Sequence, residues 1–184
     1  MNHFHKDIYG FAQNDLFALY KKVVEIFPSG SHFVEVGSFL GKSAVFMAVE
    51  IINSGKRIKF DCIDHWIGSE EHYDNENVDT ENLYEKFLEN IQPVKGVINP
   101  VKAESAMASK LYKLNSLDFI FIDASHDERS VREDLTYWMP RLKEDGMIAG
   151  DDADNEGVAN ALKWFFDTEK LDIVGRQWFL DLRK

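Results

Sequence analysis

Two short stretches of this chain combine carboxylates with an imidazole: Asp123-Ala124-Ser125-His126 and Asp151-Asp152. Three carboxylates brought to one place repel strongly unless a cation neutralises them, the alternative being a cluster that shares a proton. Oxygen ligands suit a hard divalent ion such as Mg²⁺, which keeps waters or takes substrate oxygens in its remaining positions. Asp123, Asp151 and Asp152 are therefore read as metal ligands. His126 stands three residues after Asp123. Imidazole titrates near neutrality and can take a proton from a hydroxyl, so His126 reads as a general base, with metal ligation as the lesser role.

A second group of residues is suited to binding. Glu35-Val36-Gly37-Ser38-Phe39-Leu40-Gly41-Lys42-Ser43 begins in an apolar run, turns at Gly37 and resumes as a helical pattern from Gly41. Strand, glycine turn and helix open a nucleotide-type site in an α/β sheet. The glycines let the backbone approach a ligand, and the helix N-terminus offers free N–H groups to an anion. Asp64 ends the next strand, where an acid can accept both hydroxyls of a ribose or, in the bland reading, cap a turn. His65 and Trp66 follow it and are read as pocket lining, and Glu104-Ser105 closes a further strand.

These residues need a scaffold that gathers strand ends. Five apolar runs read as strands: 32–36, 59–64, 97–101, 117–123 and 146–150. The run Leu117-Asp118-Phe119-Ile120-Phe121-Ile122-Asp123 is nearly continuous, as a central parallel strand covered on both faces requires. Helical patterns occupy 15–27, 41–53, 81–90, 104–112, a segment from Glu128 that buries Val131, Leu135, Trp138, Met139 and Leu142, and 156–167. Asn14 or Asp15 is expected to cap the first helix, which packs on the sheet or forms a lid. Residues 173–182 read as two tightly joined strands. This βα alternation predicts one domain over 1–184: an N-terminal arm and helix over 1–30, then a Rossmann-like doubly wound, mostly parallel seven-stranded sheet with helices on both faces. In such a sheet ligands bind outside the carboxyl ends of the strands, and acids recur at five of these ends in register.

Composition bounds the partners. The 184 residues carry a formal net charge of −11, which argues against a nucleic-acid backbone or an anionic membrane. The single cysteine, Cys62, excludes an internal disulfide and fits a reducing compartment. The first residues do not resemble a signal peptide and no apolar run approaches spanning length, so a cytoplasmic location is expected. His3 and His5, in an arm over 1–13 expected to be irregular, read as solvated. That arm leaves a homo-oligomer open. The long acidic stretch 67–81, with Glu70, Glu71 and Asp74, is either a solvated loop or an acceptor-binding one.

With these motifs placed, the chain resembles class I S-adenosylmethionine-dependent methyltransferases, and most closely the small metal-dependent O-methyltransferases. Residues 35–44 are similar to the first motif of catechol O-methyltransferase and its relatives. Phe121-Ile122-Asp123-Ala124-Ser125-His126 and Gly150-Asp151-Asp152 resemble their metal and base segments. The Asp-x-x-His arrangement is similar to that of macrolide sugar O-methyltransferases. The resemblance covers about 33–166. It implies that Glu35, Gly37, Phe39 and Ser43, with Ser38 and Gly41 of the same turn, hold the methionine half of S-adenosyl-L-methionine, Ser43 near its carboxylate. It implies Asp64 on the ribose, Glu104 and Ser105 beside the adenine, Asp123 bordering both cofactor and metal, a divalent cation such as Mg²⁺ on Asp123, Asp151 and Asp152, and His126 in place of a lysine base. The acceptor implied is a small molecule, a saccharide before others. There are two departures: the first motif has one glycine fewer than the widespread form, and Asp152 stands where metal-binding relatives often have Asn.

Two other classes fit less well. Gly37 to Ser43 looks like a P-loop, but that loop needs four residues between its glycines and here there are three. A nicotinamide dehydrogenase would need Gly-x-Gly-x-x-Gly, which is absent. A cofactor-binding partner module without chemistry is the non-enzyme alternative, against which stand the retained base and acids.

Overall fold

The computed structural model of the chain describes residues 1–68, 80–166 and 170–184. Its strands are β1 (His32–Val36), β2 (Lys59–Asp64), β3 (Ile98–Lys102), β4 (Leu117–Ile122), β5 (Leu142–Gly150), β6 (Asp172–Val174) and β7 (Gln177–Asp181). Its helices are α1 (Asn14–Ile26), α2 (Lys42–Ser54), α3 (Leu83–Asn90), α4 (Ser105–Ser109), α5 (Glu128–Trp138) and α6 (Glu156–Phe165). The strands form one seven-stranded sheet in the order β3-β2-β1-β4-β5-β7-β6. β1 to β5 are parallel, while β7 runs antiparallel to both β5 and β6.

Alternation along the central strands explains why their apolar runs are continuous. Phe33, Phe119 and Phe121 face one core with α1, α2 and α3, whereas Val34, Ile120 and Ile122 face a second core with α5 and α6. Successive side chains of a strand point to opposite faces, so a strand covered on both sides has no polar face to show. Each large side chain fully buried this way contributes about 1.5–3 kcal/mol.

Several local expectations change. The arm is docked rather than solvated. His5 lies in a 3₁₀ turn (His5–Asp7), is buried, and contacts the rings of Phe17 and Phe46, while His3 stacks on Phe46 at 4.3 Å and bonds Glu50 Oε1 at 2.7 Å. Burial and the neighbouring His3 hold the His5 pKa below its ordinary value. α1 begins after Gln13 without a side-chain cap. Asp15 instead accepts the N–H of Leu16 and, from far along the chain, that of Arg176. α1 packs against α2 and the sheet rather than over the pocket. α4 is one turn, shorter than the 104–112 expected, because Lys110, Leu111 and Tyr112 close in 3₁₀-type i→i−3 bonds. α5 ends at Trp138 before Pro140. Met139 falls in a 3₁₀ turn and Leu142 begins β5, which is therefore longer than 146–150. The acidic residues Glu70, Glu71 and Asp74 lie outside the described residues.

Candidate functional site

The register of the sheet sets where the site forms. Val36 of β1 sits beside Ile63 of β2 and Ile122 of β4, and Ile122 sits beside Gly150 of β5. The residues that follow, Gly37, Asp64, Asp123 and Asp151, therefore emerge at one edge of the sheet. There they border a cavity of about 640 Å³, within the range of small-molecule sites. Gly37 makes this convergence possible. Its φ is +92°, and a Cβ built on it would lie 1.9 Å from the Asp123 carbonyl oxygen, so only glycine lets the first turn pass the end of β4.

The cavity is lined by Gly37, Ser38, Phe39, Gly41, Ser43, Asp64, His65, Trp66, Glu104, Ser105, Asp123, His126, Asp151 and Asp152. Thus all the cofactor, metal and base candidates read from the sequence reach it, with one exception. Glu35 is only 1% exposed and lies beneath the lining, where it accepts hydrogen bonds from Tyr20 Oη at 2.6 Å and Ser43 Oγ at 3.1 Å. The expectation of direct cofactor contact from Glu35 gives way to a supporting position, because both carboxylate oxygens are engaged within the core. Burial, reinforced by the charge of Asp123, raises its pKa to about 7.

Asp64 organises the turn beside it. One oxygen accepts the Phe39 N–H and the other the Trp66 N–H, at 2.8 and 2.7 Å, and the Trp66 indole returns a bond to the Phe39 carbonyl. Phe39 and Trp66 both hold positive φ, at 44° and 50°. Such conformations cost about 1–3 kcal/mol and persist where the surroundings enforce them. Each Asp64 oxygen keeps a lone-pair direction for a hydroxyl of a bound ligand.

Farther along the edge, Ser105 Oγ donates to Asp134 and accepts from the Trp138 indole at 2.9 Å. Asp134 also borders the cavity. Burial, with the charges of Glu133 and Asp127, raises its pKa to about 6 despite the Ser105 bond.

At the other end, His126 Nε2 lies 2.7 Å from Asp152 Oδ2 and 4.0 Å from Asp123 Oδ1. One ligand atom from each of Asp123, His126 and Asp152 lies within 4.8 Å of the others, a donor set that fits a divalent cation. Among the described residues this trio differs from the expected Asp123, Asp151 and Asp152. Asp151 Oδ1 instead accepts from Gln177 Nε2 at 2.9 Å and from the Asp152 N–H at 2.7 Å. Burial, then the charge of Asp123, raises the Asp151 pKa to about 7. Asp152 is fixed by its neighbours at a positive φ of 60°.

Residues not found in the sequence complete the walls. Gly10, Phe11 and Ala12 of the arm line the cavity, and Lys42 Nζ ties the arm down by donating to the Gly10 carbonyl at 3.0 Å. Arg176, on the turn between β6 and β7, reaches the acids from outside the sheet core. Lys42, in the stretch that only resembles a P-loop, is here a clamp on the chain itself.

This sheet order, with antiparallel β7 between β5 and β6 and a glycine-turn cavity at the parallel strand ends, is the Rossmann-like fold of class I S-adenosylmethionine-dependent methyltransferases. The profile of a family described as "Methyltransferase domain" matches residues 34–153, and the chain belongs to that family. Among solved structures, cofactor-bound Rv0187 from MTB is similar with a TM-score of 0.68 and 16% identity, over 95% of this chain and 82% of that one. The O-methyltransferase NovP gives 0.68 and 13% over 90% and 78%. The calicheamicin methyltransferase CalS11 gives 0.61 and 16% over 91% and 77%. No curated protein matches the chain. Among the described residues no helix is long and apolar enough to cross a membrane.

Proposed function

We propose that the chain transfers the methyl group of S-adenosylmethionine to a hydroxyl of a small molecule, with help from a divalent cation. The observation that carries this reading is the Asp123–His126–Asp152 group at one end of a cavity whose other end bears the glycine turn and Asp64. A sulfonium methyl is already activated, so the task left to the protein is to present a nucleophile in line with it, and holding both reactants in attack geometry supplies much of the rate. Neutral hydroxyls attack poorly. His126 is the base that takes the acceptor proton, and Asp152, 2.7 Å from its Nε2, orients the ring and stabilises the imidazolium that results.

Asp123 and Asp152 would hold the cation, with Asp151 as the third ligand, which leaves His126 to serve as the base. When bound, such an ion stabilises charge developing on the acceptor oxygen. On the cofactor, Asp64 takes the ribose, Ser43 and the α2 N-terminus the methionine end, and Glu104 with Ser105 the adenine side. The acidic walls favour a cationic sulfonium over the neutral thioether product, which helps retain the cofactor until transfer. The acceptor class is proposed as a saccharide or similar polyol, on the likeness of the Asp-x-x-His segment to sugar O-methyltransferases. The similarity to a calicheamicin methyltransferase is compatible with an oxygen-rich natural-product acceptor.

The test is turnover of S-adenosylmethionine to S-adenosylhomocysteine against panels of sugars, phenols and carboxylates, with Mg²⁺ or Mn²⁺ and with a chelator. Methylation of a hydroxyl that the chelator abolishes supports the full reading. Turnover indifferent to chelation removes the cation from it, and methylation confined to nitrogen or carboxylate acceptors overturns the acceptor class.

A further inference from the structure

We propose that Arg176 is a built-in counter-cation of the acid cluster, and that its guanidinium and a divalent ion compete for Asp152. The inference rests on the reading that this cluster takes a cation. It adds that the site carries its own substitute.

Three features place the guanidinium there. Arg176 Nη2 pairs with Asp152 Oδ1, and Nε lies 3.3 Å from Asp154 Oδ1 and 3.9 Å from Asp151 Oδ1. The backbone that carries it is fixed: the Arg176 N–H donates to Asp15 Oδ2 at 3.0 Å, and its carbonyl accepts the Ala153 N–H at 2.9 Å. The preceding Gly175 has φ +63°, and a Cβ there would lie 2.4 Å from Asp15 Oδ2. A residue other than glycine would push the turn off α1, so the chain delivers the arginine to this place.

Competition follows from how Asp152 is held. Its Oδ2 faces His126 and its Oδ1 faces Arg176, its side chain is buried, and its positive φ with the bond from its N–H to Asp151 fixes the backbone that carries it. An ion that takes Oδ1 must move the guanidinium. That side chain can leave: it is 39% exposed, and its buried Nε makes no directed hydrogen bond despite the nearby carboxylates. Without any cation, Asp123, Asp151, Asp152 and Asp154 would repel across a partly desolvated space. With Arg176 in place the site holds together in the absence of metal, at the expense of metal affinity.

The test is calorimetric binding of Mn²⁺ to the wild-type chain, Arg176→Gln and Arg176→Lys, with S-adenosylmethionine binding as a check that each variant is folded. Arg176→Gln is expected to bind Mn²⁺ at least about tenfold more tightly than wild type, and Arg176→Lys to stay within about threefold of it. Arg176→Gln should also melt lower without metal and regain more on adding Mn²⁺. In the wild-type protein, Mn²⁺ should speed modification of Arg176 by phenylglyoxal, followed by peptide mass spectrometry, a readout that needs no variant. Equal or weaker Mn²⁺ affinity in Arg176→Gln, or modification that Mn²⁺ leaves unchanged or slows, overturns the competition while the cation reading stands. Absence of Mn²⁺ binding to wild type and Arg176→Gln alike overturns the cation reading and the competition with it.

Discussion

The Tyr20 hydroxyl, on α1, donates to Glu35 Oε2 on β1 across 2.6 Å, with both side chains withdrawn from solvent. This bond couples the first helix to the strand that feeds the glycine turn. Removing the donor leaves a buried carboxylate oxygen unsatisfied, which costs about 1–3 kcal/mol. Tyr20→Phe is therefore expected to lower the urea unfolding free energy by that amount. An unchanged midpoint would show that Ser43 alone satisfies Glu35.

Glu35 and Asp134 give the chain a predictable pH dependence. Both pKa values are raised by burial, from 4.5 to about 7 and from 3.8 to about 6. The folded chain thus holds these protons longer than the unfolded one. Their stabilising contribution is fully present below about pH 4 and is lost as pH rises through about 6 to 7. Unfolding free energies measured from pH 4 to 8 should fall less steeply in Glu35→Gln and Asp134→Asn than in wild type. Parallel slopes in all three would sink this assignment.

Gly37 tolerates no side chain. An alanine there meets the Asp123 carbonyl and must adopt φ +92°. The conformation alone costs about 1–3 kcal/mol, and the overlap adds to it. Gly37→Ala should unfold at markedly lower urea or fail to fold. Gly96→Ala, with open space around its Cβ, should behave like wild type. Similar midpoints for the two variants would contradict the close approach.

His126→Ala should cut turnover by about 10²–10⁴-fold, the usual contribution of a positioned base, and leave S-adenosylmethionine affinity within about threefold. Its partner Asp152 stays folded in place through its own backbone bonds. Steady-state rates paired with calorimetry decide this. Equal loss of binding and turnover would make His126 a structural residue.

Lys42→Met releases the Gly10 carbonyl and with it the wall formed by Gly10, Phe11 and Ala12. Loss of one charge-assisted bond corresponds to roughly a tenfold rise in the S-adenosylmethionine Kd. Limited proteolysis should cut within residues 1–13 sooner than in wild type. A protected arm with normal affinity would mean that the His5 and Phe46 contacts suffice to hold it.

What the sequence determined by itself was whatever a local pattern can encode. Continuous apolar runs with β-branched and aromatic residues located five parallel strands. The glycine pair at 37 and 41 located the first turn, and the strand ends delivered Asp64, Asp123 and Asp151 to one edge, because register in a parallel sheet follows from the runs themselves. The tertiary structure decided what depends on residues far apart in the chain. Asp15 holds Arg176 across 161 positions, and Arg176 then meets Asp152. Tyr20 of α1 bonds Glu35 of β1, and Lys42 pins an arm that reads as irregular. Whether Asp151 or His126 faces Asp123 and Asp152 turns on Gln177 of the antiparallel β7. Such pairings leave no periodicity in the sequence. They arise only when packing brings two separately encoded surfaces together and each buried polar group must find its partner there.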